Sequence, residues 1–353
     1  MKSTTSLVGT GAALFALAAG AFAEDAAEET AASSFPLVSE LRNLTVEGLV
    51  EVSAGWTKQG DDKDTDVNVD TVELDLGLEA TDRLSASIAF LYEEGEEDDH
   101  VIVDSAEIVY AFDSVDGLSL HVGKIYMPFG SFETALISDP LTLELGEISD
   151  GAVGLEWESE WLDLAAYAFG GDVNDTTDDA DKLQYVAAAT LKPFEGFSLR
   201  AAVLSDICEA ALDDAVADAF GEAEEAGETG SYDGAVGVNV AAKLECGDFT
   251  IAAEWLGAAE DVEICGEKSK PRTWAVDLAW AATDRLTLAA RYEGSKEFDP
   301  EEMPEKQFGV GGEWAFDDNL SLALEYLYGE FDDVDGESQD DRHMVTAKVA
   351  FSF

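Results

Sequence analysis

Positive charge is scarce in this chain. Over 353 residues, 19 lysines and arginines stand against 77 aspartates and glutamates, a formal net charge of −58. Nucleic acid needs a basic surface, so this balance excludes it as a partner. The acid excess fits salt adaptation, solvated surface loops, or a field that draws cations to a pore mouth. Cysteine is almost missing: Cys208, Cys246 and Cys265 match no metal site and no C-x-x-C motif. In an exported protein Cys208 and Cys265, which fall in neighbouring long loops, could pair, whereas Cys246 lies in a turn at the opposite end. His100, His121 and His343 are far apart with no ligand spacing, which argues against zinc. There is no G-x-S-x-G, no phosphate loop and no dinucleotide fingerprint, so neither an enzyme nor a cofactor is expected. Beyond the N-terminus no segment approaches ~18 consecutive apolar residues, which excludes a transmembrane helix.

What is present begins with a leader pattern. Lys2 opens a weak basic region, Leu7 to Gly20 is apolar and small, and Ala21-Phe22-Ala23 fits a cleavage site before Glu24. Residues 1–23 therefore read as a signal peptide and 24–43 as a short acidic tail. From Leu44 the apolar period becomes two and holds nearly to the end. Val72, Leu74, Leu76 and Leu78 share one face, with Glu73, Asp75 and Glu79 on the other. Leu320 to Tyr328 repeats the design, as do Phe249 to Trp255 and Trp274 to Trp280.

Sixteen such runs start near residues 44, 69, 83, 101, 118, 150, 161, 182, 197, 233, 248, 271, 284, 305, 320 and 342. Most have about ten residues, the length that crosses a bilayer at a tilt. Tight turns such as Asp116-Gly117 and Thr283-Asp284 alternate with acidic stretches such as Gly60 to Asp66, Gly95 to His100, Gly171 to Asp181 and Asp332 to Asp341. Short turns at one end and long polar loops at the other predict an all-β, transmembrane antiparallel barrel over 44–353. A β-sandwich would turn its apolar faces into a core that needs no charges, and fits poorly. Trp56, Trp157, Trp255, Trp280 and Trp314 sit on the apolar face near strand ends, where interfacial girdles belong, and the last strand ends on Phe353.

Val122 to Glu147 breaks the alternation. It holds two of the seven prolines, Pro128 and Pro140, and is too apolar for a solvated loop and too broken for a helix. Loops of this length are usually functional. As the third long loop of sixteen strands it should fold into the barrel and narrow the pore. Phe129, Phe132, Leu136 and Ile137 would pack on the wall, while Glu133, Asp139, Glu144 and Glu147 face the channel. Lumen charge is expected from Glu73, Asp75, Glu79, Glu156, Glu158, Glu313 and Glu325, with Glu254, Asp277 and Glu293 further round. Inward bases are few: Arg200, Lys243, Arg291 and Lys348, with Lys124 where the alternation blurs. Carboxylate rings would favour cations. In the fifth long loop, Leu212, Val216 and Phe220 form one face of a short helix that either caps the pore or shields loop backbone.

The same third-loop segment resembles the LbtU family of siderophore porins. The residues that carry this are Val122-Gly123-Lys124, Pro128-Phe129-Gly130, Phe132-Glu133-Thr134 and the run from Ile137 to Glu147. The resemblance implies an outer-membrane barrel with ferric-siderophore import. The residues themselves predict an outer-membrane porin for small hydrophilic solutes, in contact with outer-membrane lipid; barrels of this kind typically form homotrimers, which no residue here specifies. The competing class is a non-transporting acidic surface protein that binds divalent cations, although no twelve-residue calcium loop appears.

Overall fold

The computed structural model describes residues 43–94, 100–171, 173, 183–212, 216, 219, 220, 230–299, 302–333, 336 and 338–353. The expected signal peptide and all but the last residue of the acidic tail lie outside the described residues.

Sixteen strands close into one antiparallel barrel. They are β1 (Leu44–Gln59), β2 (Asp62–Thr81), β3 (Leu84–Tyr92), β4 (Ile102–Ala111), β5 (Leu118–Tyr126), β6 (Ser149–Trp157), β7 (Leu162–Gly170), β8 (Leu183–Phe194), β9 (Phe197–Leu204), β11 (Gly237–Cys246), β12 (Phe249–Ala258), β15 (Arg272–Thr283), β16 (Leu286–Lys296), β17 (Lys306–Ala315), β18 (Leu320–Glu330) and β19 (Arg342–Ser352). Three short strands, β10 (Tyr232–Asp233), β13 (Val262–Ile264) and β14 (Glu267–Ser269), form a separate small sheet in the long loops. Neighbours in sequence are neighbours in the wall, and β1 closes on β19 from Leu49 opposite Ser352 to Gln59 opposite Arg342. Gly48 and Phe353 exchange two backbone hydrogen bonds of 3.0 Å at that seam.

The register fixes the two faces. Val276, Tyr292 and Phe308 share a transverse row and are 44–47% exposed. The adjacent row, Asp277 and Arg291, is 7% and 1% exposed and points inward. Apolar side chains exposed in rows on one face are what a lipid-facing wall requires.

Five expectations change. The stretch Gly60 to Asp66 is not a loop: β2 begins at Asp62, and β1 and β2 run on as a long hairpin turned at Gly60, whose φ is +58°. Thr65, Val67 and Val69 continue the strand period there, so the acidic residues ride on a strand. The third long loop is not too broken for a helix, since α1 (Leu141–Gly146) lies within it. Lys124 pairs with Ala106 on the outward face and donates to the Val103 carbonyl. Glu158 lies one residue past β6, exposed in a tight turn. Among the described residues Cys208 and Cys265 form no disulfide.

Gly123 sits where β5 presses on β4. Its φ is +154°, and a Cβ there would lie 1.9 Å from the Ala106 carbonyl oxygen. Gly123→Ala should therefore cost about 1–3 kcal/mol or more. Refolding into detergent, scored by heat-modifiable mobility, should give a lower folded yield than wild type. An unchanged yield would mean that β4 yields freely.

Candidate functional site

The segment between β5 and β6, residues 127–148, lies against the inner wall. A loop in this position carries backbone N–H and C=O groups that need partners. The wall supplies them from inward-facing positions. Glu254 on β12 accepts from the Ser131 and Phe132 amides at 2.7 and 2.9 Å, and from the Thr142 hydroxyl at 3.0 Å. Asn239 on β11 donates to the same carboxylate at 2.6 Å. Glu325 on β18 accepts from the Ile137 and Ser138 amides at 2.9 and 3.2 Å and from the Ser138 hydroxyl. Glu293 on β16 accepts from the Leu141 amide at 2.7 Å. Pro140 gives α1 no side-chain cap, so Glu293 takes one of the unpaired donors of its first turn.

The reverse polarity comes from arginines. Arg291 donates to Glu293, to the Thr134 hydroxyl, and to the carbonyls of Ser138 and Asp139, at 2.8, 3.0, 2.8 and 2.9 Å. Arg200 on β9 donates to the Pro128 carbonyl at 2.6 Å. Lys243 on β11 bonds Glu133 at 3.0 Å.

Apolar packing completes the attachment. Phe129 is fully buried, and Leu141, Leu145 and Ile148 join Leu204 and Leu256 of the wall in one core. The fifth long loop enters this core through Cys208, Val216 and Phe220, and the sixth through Val262. The expected helix there begins as α2 (Cys208–Ala211), with Leu212 also packed on the core. It shields backbone and loop together, and is no mere surface helix.

These contacts fix the roles of the expected residues. Phe129 packs on the wall as expected. Phe132 adopts a φ of +50° and folds over Gly130 and Gly146. Glu133 turns to the wall. Arg200, Arg291 and Glu325 face inward as expected but lie beneath the loop, where they hold it. Asp139, Glu144 and Glu147 remain partly exposed. Burial pushes the Asp139 carboxyl up to about 7, aided by the charge of Glu144 and opposed by Arg291 and Lys348. Burial likewise raises Glu147 to about 8, with Asp139 and Asp104 adding to it, and raises Glu144 beside Glu293.

Opposite the loop, the inner wall of β1, β2 and β4 to β6 carries further carboxylates. Glu73 and Asp75 follow one another on the inward face of β2, with Glu79 exposed at its short-turn end. Glu51 binds Lys348 at 2.8 Å, and Asp70 accepts from Ser53 at 2.6 Å. His121 sits between Glu107 at 2.6 Å and Glu156 at 3.7 Å, and Tyr167 donates to Glu156 at 2.8 Å. Glu313 on β17 is exposed to the lumen. The Glu107–His121–Glu156 cluster escaped sequence reasoning. Alternation turns each residue inward, but only the register brings β4, β5 and β6 together. Among the described residues no group of three or more His, Cys, Asp or Glu could hold a metal ion.

Glu254→Ala removes four hydrogen bonds to a buried carboxylate. It should release residues 131–142 at a cost of about 2–4 kcal/mol. Limited proteolysis in detergent should then cut within that span while the barrel stays intact; resistance equal to wild type would show that apolar packing alone holds the loop.

No match was found among curated proteins. Among solved structures, the anion-selective porin from Comamonas acidovorans superposes with a TM-score of 0.67 at 8% identity, covering 88% of this chain and 99% of its own. OmpF of Salmonella typhi gives 0.60 at 17%, covering 89% and 99%. The trimer form of OmpT, an outer-membrane protein of Vibrio cholerae, gives 0.56 at 11%, covering 88% and 99%. At such identities these likenesses establish the fold alone. The family model for Gram-negative porins matches residues 10–335. This chain, a closed sixteen-stranded barrel with its wall turned to lipid, therefore belongs to the Gram-negative porin family, whose members form channels in the bacterial outer membrane.

Proposed function

We propose that this porin passes small hydrophilic solutes and favours cations, through the space between the third loop and the wall of β1 to β6. One observation carries the reading. Among the described residues every inward-facing base is already engaged: Arg200 and Arg291 by the loop, Lys243 by Glu133, Lys348 by Glu51, and Arg342 by the Glu302 carbonyl. Among the described residues the carboxylates of Glu73 and Asp75 form no ion pair with a base, nor do the loop carboxylates Asp139, Glu144 and Glu147. A lumen with unbalanced carboxylates presents a net negative field, which concentrates cations and repels anions.

The resemblance to LbtU siderophore porins extends the reading to ferric chelates. The charge restricts it to neutral or cationic ones, because an anionic lumen repels an anionic chelate. Assembly as a homotrimer is part of the proposal and is supported by the trimer form of the similar Vibrio cholerae barrel.

Planar bilayers under a KCl gradient test it. Discrete conductance steps with a cation-selective reversal potential are expected, and Asp139→Asn with Glu144→Gln and Glu147→Gln should lower that selectivity. Absence of steps from a folded, heat-modifiable barrel would sink the reading and favour the non-conducting surface protein. The raised loop carboxyls are neutral below about 7 for Asp139 and below about 8 for Glu147, and charged above. Cation selectivity should therefore rise with pH through that window in the wild type. In the triple variant that rise should be smaller than in the wild type.

A further inference from the structure

The lumen wall at the start of β5 holds a polar niche. Its residues come from the inward rows of four consecutive strands: Glu107 on β4, Ser119 and His121 on β5, Glu156 on β6 and Tyr167 on β7. Two glycines make room for it. Gly123 faces Glu107 across the β4–β5 pair, and Gly154 lies between His121 and Tyr167 in one transverse row. With no side chain at position 123, the Glu107 carboxylate reaches along the wall to the His121 ring. A Cβ at position 154 would lie 2.2 Å from the Tyr167 ring, so glycine lets that ring lean toward His121, at a centroid separation of 6.1 Å.

The hydrogen bonds of the niche have a direction. The Ser119 hydroxyl stands 2.8 Å from His121 Nε2, and His121 Nδ1 stands 2.6 Å from Glu107 Oε1. An ionised carboxylate only accepts, so the ring proton sits on Nδ1 and the Nε2 lone pair faces the hydroxyl. Glu156 Oε2 lies 3.7 Å from Nε2, too far for a hydrogen bond but close enough to favour an imidazolium. Its other oxygen accepts from the Tyr167 hydroxyl at 2.8 Å. A hydroxyl on a base that a third group orients is the arrangement of an activated nucleophile. Such constellations are recognised by geometry and not by sequence order, so the missing G-x-S-x-G does not exclude one.

We infer that Ser119, His121 and Glu107 form an acyl-transfer site in the lumen that hydrolyses small carboxylic esters with a good leaving group. Ser119 Oγ attacks the ester carbonyl while its proton passes to His121 Nε2. The bond from carbon to the leaving oxygen then breaks, and that oxygen takes the proton from His121. Water repeats the sequence on the acyl-serine, with His121 again as base, and releases the carboxylic acid. Glu107 acts as a positioning residue through the imidazole. The strand amides are committed to the ladder, so the Tyr167 hydroxyl, released from Glu156, serves as the donor to the oxyanion. One donor makes a weak oxyanion hole, which restricts the substrates to activated esters.

The test uses the full folded barrel in neutral detergent, with a fluorophosphonate and p-nitrophenyl acetate as probes. Wild type should gain one phosphonyl group, mapped by peptide mass to Ser119, and should turn over the ester. Ser53, an inward serine whose hydroxyl donates to Asp70, should stay unmodified. Ser119→Ala should lose both reactions, and His121→Ala should slow labelling of Ser119 about 100-fold. Glu107→Gln should lower kcat about ten-fold with KM unchanged, a split that a merely structural role would not give. Tyr167→Phe should slow both reactions at least about ten-fold. If His121→Ala does not fold, His121→Gln takes its place. An unlabelled Ser119 in wild type, or labelling at the wild-type rate without His121, overturns the inference. Conductance is read on the same preparations. Ser119→Ala should conduct as wild type does, and a non-conducting barrel that still labels Ser119 would sink the pore reading alone.

Discussion

Everything in this molecule follows from the need to satisfy backbone polar groups where no water can do so. A sheet surrounded by hydrocarbon has no tolerable edge, because each unpaired N–H or C=O there costs several kcal/mol. Closure of β1 on β19, finished by the exchange between Gly48 and Phe353, removes the edge. Closure makes an inside and an outside, and the strand period of two then sorts every side chain between them. The carboxylates of β2 and the tryptophans of β12 and β15 need no further instruction.

The same constraint recurs inside. A loop of more than twenty residues brought into the barrel exposes its own backbone, and here the wall answers with ionised side chains. Glu254, Glu293 and Glu325 accept loop amides, while Arg200 and Arg291 donate to loop carbonyls. Hydrogen bonds to charged partners are stronger than neutral ones. Buried charges tolerate such a site only when they are paired, and Arg291 with Glu293 meets that condition. Using the inward bases as loop fasteners has a consequence for the lumen. The bases are spent on structure, and on the proposed reading the carboxylates left over set the field that a solute meets.

The outer surface differs. There apolar side chains such as Val276, Tyr292 and Phe308 lie exposed in rows, and Lys58 and Arg272 stand beyond the tryptophans toward the long loops. A solvated interior and a headgroup layer impose opposite demands on neighbouring residues of one strand.

The sequence alone determined the architecture. Alternation in Val72 to Glu79 and its repeats, tight turns set against long acidic stretches, and a terminal Phe353 are local signals, and strand formation with face assignment is a local matter once the period is two. It also located the loop, although the strand period runs on through Val122 to Tyr126 before it breaks. What it could not supply is register. Glu254 and Glu313 look alike as inward glutamates, yet one clamps the loop and the other is exposed to the lumen, a difference set by which strand each lies on relative to the loop's path. Glu133 and Glu147 look alike too, until Lys243 arrives from a strand 110 residues away. Phe129 reads as a wall-packing aromatic, but the residues of the fifth and sixth loops that share its core cannot be named from the sequence. Periodicity is written along the chain, whereas the pairing of distant strands and the fate of each charge arise only when the barrel closes and brings them within bonding distance.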